Sequence, residues 1–161
     1  MRVFLTAALT VLLISSLAPS ASAQTKYTLR VSAQEEFKRD LEAGMAKAYE
    51  GHPELVAAEE GFRYFVSLIG MPIVQDESGD TLGFAVSCLV VSPLDTETIV
   101  SLMPEDARNI ATPLLNRAHN LLHYKLFIMR KENLQETCAR IAEATATAIA
   151  TEEARRASLA E

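Results

Sequence analysis

The 161-residue chain has no tryptophan, only two cysteines, and six glycines that stand singly along the sequence. Without tryptophan, an aromatic platform on which sugars stack is not expected. No glycine-rich loop that would cradle a phosphate occurs, and neither a G-x-S-x-G elbow nor a C-x-x-C pair is found. The sequence therefore offers none of the common enzyme motifs and predicts no cofactor.

Basic residues are also in short supply, with 15 Lys and Arg against 21 Asp and Glu and a formal net charge of −6. This balance argues against a general affinity for nucleic acid or for anionic membrane surfaces. Beyond the N-terminal segment no run of 18 apolar residues occurs, so no stable membrane span is predicted. The expected partner is another envelope or secreted protein, and the sequence leaves the oligomeric state open.

The N-terminal segment has the three parts of a secretory signal peptide. Residues 1–2 are a short basic region, residues 3–14 are apolar, and Ala21-Ser22-Ala23 is a small-residue cleavage signal. The alternative is an uncleaved anchor helix, but the apolar part is short for a bilayer core of about 30 Å. We expect residues 1–23 to be removed and the protein to be exported to the periplasm or secreted.

The remaining chain is predicted to form a single domain. Residues 24–150 show neither an internal repeat nor a linker that would divide them, and their number suits one core. Residues 151–161 are small and charged, and we expect this C-terminal tail to fray.

The two cysteines, Cys88 and Cys138, are 50 residues apart, the first in a predicted strand and the second on the inner side of a predicted helix. In an oxidising compartment an even number of cysteines favours a disulfide, and two cysteines allow a single pairing. Export therefore predicts a Cys88–Cys138 bond, and the alternative is two buried thiols.

Residues Thr81–Ser92 carry the strongest secondary-structure signal, because their larger side chains alternate with smaller ones as in a strand with one buried face. An extended segment at 71–75 and the turn-forming residues after it would complete a β-hairpin. Short apolar runs are ambiguous, and 82–91 could instead form a helix.

Helical patterns dominate the rest of the chain. Residues 32–49 begin with a capping-box pattern, 53–69 begin with a proline and have a helical apolar face, and 132–161 are amphipathic. The segment 104–129 also reads as helix, interrupted at Pro113. Together with a short strand at 26–31, these patterns predict a helix-rich α+β fold of about three short strands and four or five helices. The alternative is an all-α bundle.

The strongest metal-binding signal is the pair His119 and His123. At positions i and i+4 of a helix they would share a face, which is the geometry that two ligands of one metal ion need. The glutamate of H-E-x-x-H is missing, because Asn120 follows the first histidine. The alternative is two histidines at the edge of an apolar helix face.

These observations predict a non-enzymatic binding protein, such as an inhibitor, an immunity-type partner or an accessory subunit of the periplasm or secreted space. An acidic surface would suit a basic partner. Two alternatives stay open at the level of sequence: a metal-dependent hydrolase whose site the fold assembles around His119 and His123, and a carrier of a small apolar ligand.

Overall fold

The computed structural model describes residues 24–75 and 79–159. Over these residues the chain forms five strands in one mixed sheet, four α-helices and a single 3-10 turn. The strands are β1 (Thr25–Ser32), β2 (Leu55–Ala57), β3 (Tyr64–Val74), β4 (Thr81–Pro93) and β5 (His119–Met129). The helices are α1 (Glu35–Tyr49), α2 (Thr96–Ser101), α3 (Glu105–Leu115) and α4 (Leu134–Leu159), and the 3-10 turn Lys131–Asn133 precedes α4.

The sheet has the strand order β2-β1-β3-β4-β5. Strand β1 runs parallel to both β2 and β3, whereas β3, β4 and β5 are antiparallel to their neighbours. Strand β1 pairs with β3 only as far as Ile69, so the second half of β3 is bonded to β4 alone. Pro72 lies in that half, where one side of the strand has no partner in the sheet and a missing N–H is tolerated.

The core lies between the sheet and the helices α1 and α4, which pack against each other and against one face of the sheet. Residues at every second strand position face these helices, and the helices contribute one apolar side each, as their periodicities of two and 3.6 require. The buried residues include Tyr27, Tyr64, Val66, Leu68, Val86, Cys88, Val90, Phe127 and Met129 from the sheet, with Phe37, Leu41, Met45, Ile141 and Ile149 from the helices.

Helices α2 and α3 form an excursion between β4 and β5 that has no buried residue. The two helices pack chiefly against each other. Asp95 caps α2 by accepting a hydrogen bond from the Thr98 N–H, and the Arg108 side chain donates to the carbonyls of Ser101 and Met103. We call residues 94–118 the helical arm, because it is internally hydrogen-bonded but covers no part of the core.

The predicted architecture is wrong in its number of strands, since the sheet has five strands rather than about three. The segment predicted as a helix over 53–69 contains β2 and most of β3, and the C-terminal part of the helix predicted over 104–129 is β5. Strand β3 is largely apolar on its two faces, and β5 has apolar residues at adjacent positions from Leu126 to Met129, which hides the alternation and imitates a helical pattern. Strand β4 lies where it was expected, so 82–91 is not helical and the fold is not an all-α bundle.

Two predictions concern the ends of the chain. The signal peptide predicted for residues 1–23 lies outside the described residues, so cleavage and export stay predictions. Of the tail predicted to fray, residues 151–159 continue α4, and six of their side chains form hydrogen bonds with neighbouring groups.

Candidate functional site

Among the described residues, no helix packs on one face of the sheet, and the side chains that β3, β4 and β5 place there are largely apolar. We call this surface the open face. The strand register places its residues in four rows: Phe65 with Val91 and Leu121, Ser67 with Leu89 and Tyr124, Ile69 with Ser87 and Leu126, and Met71 with Ala85 and Ile128.

Six large side chains of the open face are close to half exposed or more: Ile69, Met71, Leu121, Tyr124, Leu126 and Ile128. A half-exposed large apolar side chain presents roughly 100 Å², so the six together present roughly 600 Å². This area lies at the upper end of the largest apolar patch on a typical monomer, and patches of that size commonly mark interaction sites.

Strand β1 shows that the rest of the same sheet face is built differently. Its core-facing residues are Tyr27, Leu29 and Val31, whereas Thr28 and Arg30 point to the other side. Such alternation is typical of a strand with one face in water. Strands β3 and β4 are largely apolar on both faces, and β5 is apolar on the open face, whereas its helix-facing side carries His123 and Lys125 as well as Phe127 and Met129. Apolar residues on both faces are typical of strands that are buried on both faces. The open face is therefore confined to three strands and has the composition of a covered surface.

The C-terminal part of α4 is fixed to the sheet by two groups of ionic contacts. In the first, Glu152 is buried and accepts hydrogen bonds from Arg155 and Arg156 at 2.7–2.8 Å. The bonds from Arg155, and then those from Arg156, outweigh burial and lower the pKa of Glu152 to about 2. Arg156 also donates to Ser92 Oγ and the Pro93 carbonyl, where the helical arm leaves the sheet.

In the second group, the Tyr64 hydroxyl donates a 2.5 Å hydrogen bond to Glu153, and Arg63 donates to the same carboxylate at 3.1 Å. Burial opposes ionisation of Glu153, but the bonds from Tyr64 and Arg63 outweigh it and leave its pKa below the ordinary value. Since these carboxylates are paired and ionised, they act as anchors of α4 rather than as proton donors or acceptors near neutral pH.

The histidine pair does not have the geometry on which the metal hypothesis rested. His119 and His123 lie on strand β5, opposite Pro93 and Val90. Four residues along a strand span about 13 Å, which is too far for two ligands of one metal ion. In the part of the chain that the structure describes, no group of three or more His, Cys, Asp or Glu side chains is placed to hold a metal ion.

Cys88 and Cys138 are both buried and are free thiols in this structure. The Cys138 sulfur faces Gly44 on α1, whereas Cys88 contacts Thr145, which is seven residues further along α4. Seven residues of helix correspond to about 10 Å, so the two sulfurs lie at different turns of α4. Burial raises the pKa of each thiol to about 11, so neither cysteine is a ready nucleophile at neutral pH.

No family model matches this chain, and no curated protein is similar to it in sequence. Of the helices described, none combines the length and the apolar character needed to cross a membrane. The candidate site therefore depends on geometry alone.

Sequence reasoning missed the open face because its residues on β5 lie in the segment 104–129, whose pattern predicts a helix. A signal was nevertheless present in the segment HNLLHYKLFIM, which is rich in aromatic and branched side chains and carries apolar residues at adjacent positions from Leu126 to Met129. A run of this kind without alternation is typical of a strand that is buried on both sides.

Proposed function

We propose that this is a non-enzymatic binding protein whose binding surface is the open face. The single observation that carries the proposal is that the open face of β3, β4 and β5 is largely apolar, although the helices among the described residues cover only the opposite face of the sheet. Exposing roughly 600 Å² of apolar side chains costs about 25 cal/mol per Å² relative to burying them, or about 15 kcal/mol. A partner that covers this surface recovers that free energy, less the entropy lost on association.

The chemistry of the open face indicates how a partner is recognised. Its twelve positions on β3, β4 and β5 carry no charged side chain, and two serines, Ser67 and Ser87, are the only non-aromatic polar residues in the four rows. Tyr124 combines a large apolar ring with a hydroxyl and suits the centre of an interface. A packed apolar surface of a polypeptide, rather than a charged ligand, therefore fits this face.

Export is the second part of the proposal and is supported by the signal-peptide pattern of residues 1–23. In this account the protein acts in the periplasm or the secreted space, as an inhibitor, an immunity-type partner or an accessory subunit. N-terminal sequencing of the protein from the extracytoplasmic fraction should begin at Gln24. A chain that begins at Met1 and stays in the cytoplasm would contradict export, but it would not affect the proposal that the open face is the binding surface.

Photo-crosslinking tests the binding surface directly. A photoreactive benzoylphenylalanine replaces Leu126 in the full chain, and the cells that produce it are irradiated. The control places the same group at Arg39, an exposed position on α1 at the opposite side of the protein. Adducts to polypeptide from position 126 and not from position 39 support the proposal. No adduct from position 126, or equal adducts from both positions, overturns it.

A further inference from the structure

A second apolar surface lies on the helical arm and is also uncovered. In α3, Ala107, Ile110, Ala111 and Leu114 recur at the spacing of one helix face. Ile110 is 73 % exposed and Leu114 is 67 % exposed, while Leu102 at the end of α2 is exposed as well. We call Ala107, Ile110, Ala111 and Leu114 the arm stripe. A helix with such a stripe normally buries it against another element, because exposing apolar side chains to water is unfavourable in free energy.

Within one chain the arm stripe and the open face do not cover each other. Ile110 and Leu114 are exposed, and so are Tyr124, Leu126 and Ile128 on β5. The molecule thus has a sheet face that lacks a helix and a helix face that lacks a sheet. Helix on sheet is one of the few layer arrangements by which such faces are buried.

We propose that the partner of the open face is a second copy of this chain, with the arm stripe of each copy packed on the open face of the other. This inference rests on the proposed function, since it assigns an occupant to the same surface. A two-fold axis makes the contact reciprocal, so each pair of copies forms two identical helix-on-sheet contacts and the assembly closes as a dimer.

The available area agrees with a dimer. A stable interface buries about 800 Å² on each partner. The open face presents roughly 600 Å², and three strongly exposed side chains of the arm, Leu102, Ile110 and Leu114, add roughly 350 Å². Either surface alone falls short of the standard area, whereas the two together reach it.

The helical arm is also ordered before any contact forms, which lowers the entropic cost of association. The Leu94 N–H donates to the Ala118 carbonyl at 3.4 Å and closes the base of the arm. Hydrogen bonds from the Arg108 side chain connect α3 to the end of α2. Arg156 on α4 donates to the Pro93 carbonyl, next to the first residue of the arm. The arm is therefore presented by the fold and need not be ordered by its partner.

Charged substitutions in the two surfaces test this arrangement. Leu114→Lys changes the arm stripe and Leu126→Glu changes the open face, and both positions are more than half exposed in the single chain. A buried unpaired charge in each of the two contacts should weaken the dimer by about a hundredfold or more. The control is Leu159→Glu, at an exposed apolar position at the end of α4.

Light scattering after size exclusion gives the mass of each protein across a dilution series, and circular dichroism reports its folding. We expect a dimer for the wild type and for Leu159→Glu, and a monomer for each of the other two variants. When the Leu114→Lys and Leu126→Glu proteins are mixed, one contact of the mixed pair is intact and the other joins opposite charges. The mixture should therefore return to a dimer.

A wild type that stays monomeric at every concentration overturns self-association. A dimer that survives both substitutions, or a mixture that stays monomeric, overturns the helix-on-sheet contact. Should Leu126→Glu unfold, Tyr124→Ser replaces it and is expected to weaken the dimer in the same direction. If the wild type is monomeric but still gives adducts from position 126 in cells, the partner is not a second copy, and the proposal that the open face is a binding surface is retained. If the wild type is monomeric and position 126 gives no adducts, both the binding surface and the second copy as its partner are refuted.

Discussion

Gly44 on α1 lies so close to α4 that a Cβ atom added at this position would stand 2.7 Å from the Cys138 sulfur and 3.6 Å from its Cβ. The close approach of the two helices depends on the missing side chain, because real Cβ contacts are not that short. The Gly44–Cys138 contact joins the two helices that cover the core, so it sets the distance at which they pack.

We expect Gly44→Ala to destabilise the fold by about 1–2 kcal/mol, because overpacking a core costs about 1–3 kcal/mol and the helix propensity of alanine returns part of it. Chemical denaturation measures the loss. Cys138→Ala in the same chain removes the sulfur and should recover most of the overpacking cost in a double-mutant cycle. Gly51→Ala, in the turn after α1, is the control and should change stability little, because an added Cβ would make an ordinary contact of 3.4 Å with the Ala48 carbonyl. Additive losses in the double mutant would refute this explanation.

The ion pairs of Glu152 predict a stability that depends on pH. The pKa of Glu152 in the fold is about 2, below the 4.5 of an ordinary glutamate. A carboxylate of this kind stabilises the fold fully above its unfolded pKa, and its contribution is lost as the pH falls from about 4.5 towards 2. Glu152→Gln should therefore cost about 1–3 kcal/mol at pH 7 and progressively less as the pH falls through that range.

Thermal or urea unfolding of the Glu152→Gln variant at several pH values measures this effect. The control is Glu60→Gln, at an exposed position before β3. A constant difference between wild type and Glu152→Gln from pH 7 to pH 2 would show that the carboxylate contributes by packing and not by charge.

The bond between Tyr64 and Glu153 predicts a smaller effect. Tyr64→Phe removes the buried hydroxyl that donates to the carboxylate and should cost about 1–2 kcal/mol in the free energy of unfolding. Tyr124→Phe removes a hydroxyl from an exposed ring on the open face and should leave the stability of the monomer unchanged. Equal effects of the two substitutions would mean that the bond to Glu153 adds nothing to α4.

The state of the cysteines separates two expectations. Export predicts a Cys88–Cys138 disulfide, whereas both cysteines are buried free thiols in this structure. Alkylation of the exported protein after denaturation without reductant should modify both cysteines if the thiols are free, and neither if they are bonded. In the folded protein both should react slowly, because burial raises their pKa to about 11.

The sequence correctly predicted the elements whose apolar residues follow a single periodicity, either that of a strand or that of a helix. Strand β4, with Val86, Cys88 and Val90 facing the helices, and helix α1, with Phe37, Leu41 and Met45, lie close to where the pattern indicated. The expected capping box at Ser32 is not formed, since α1 begins at Glu35 and Gln34 is its N-cap without a side-chain hydrogen bond. A local motif of two or three residues is easily overridden by the packing around it.

Sequence reasoning missed the elements whose secondary structure is determined by tertiary contacts rather than by a local pattern of apolar residues. Phe65 and Ile69 face one side of β3 while Tyr64, Val66 and Leu68 face the other, so the strand reads as an apolar run that only Ser67 interrupts. Such a run matches helical spacing as well as it matches a strand. The candidate site lies in these same strands, and therefore the open face could not be predicted before the sheet was known.

The central claim is that another polypeptide covers the open face, and radical footprinting tests it most directly. In the single chain Tyr124 is 62 % exposed and Met71 is 56 % exposed, so radicals should reach both side chains readily. Phe62, exposed but outside the open face, is the internal control. We predict that in the producing cells Tyr124 and Met71 are protected several-fold more than these exposures imply, while Phe62 is not. Reaction of Tyr124 and Met71 at the single-chain rates would contradict the account.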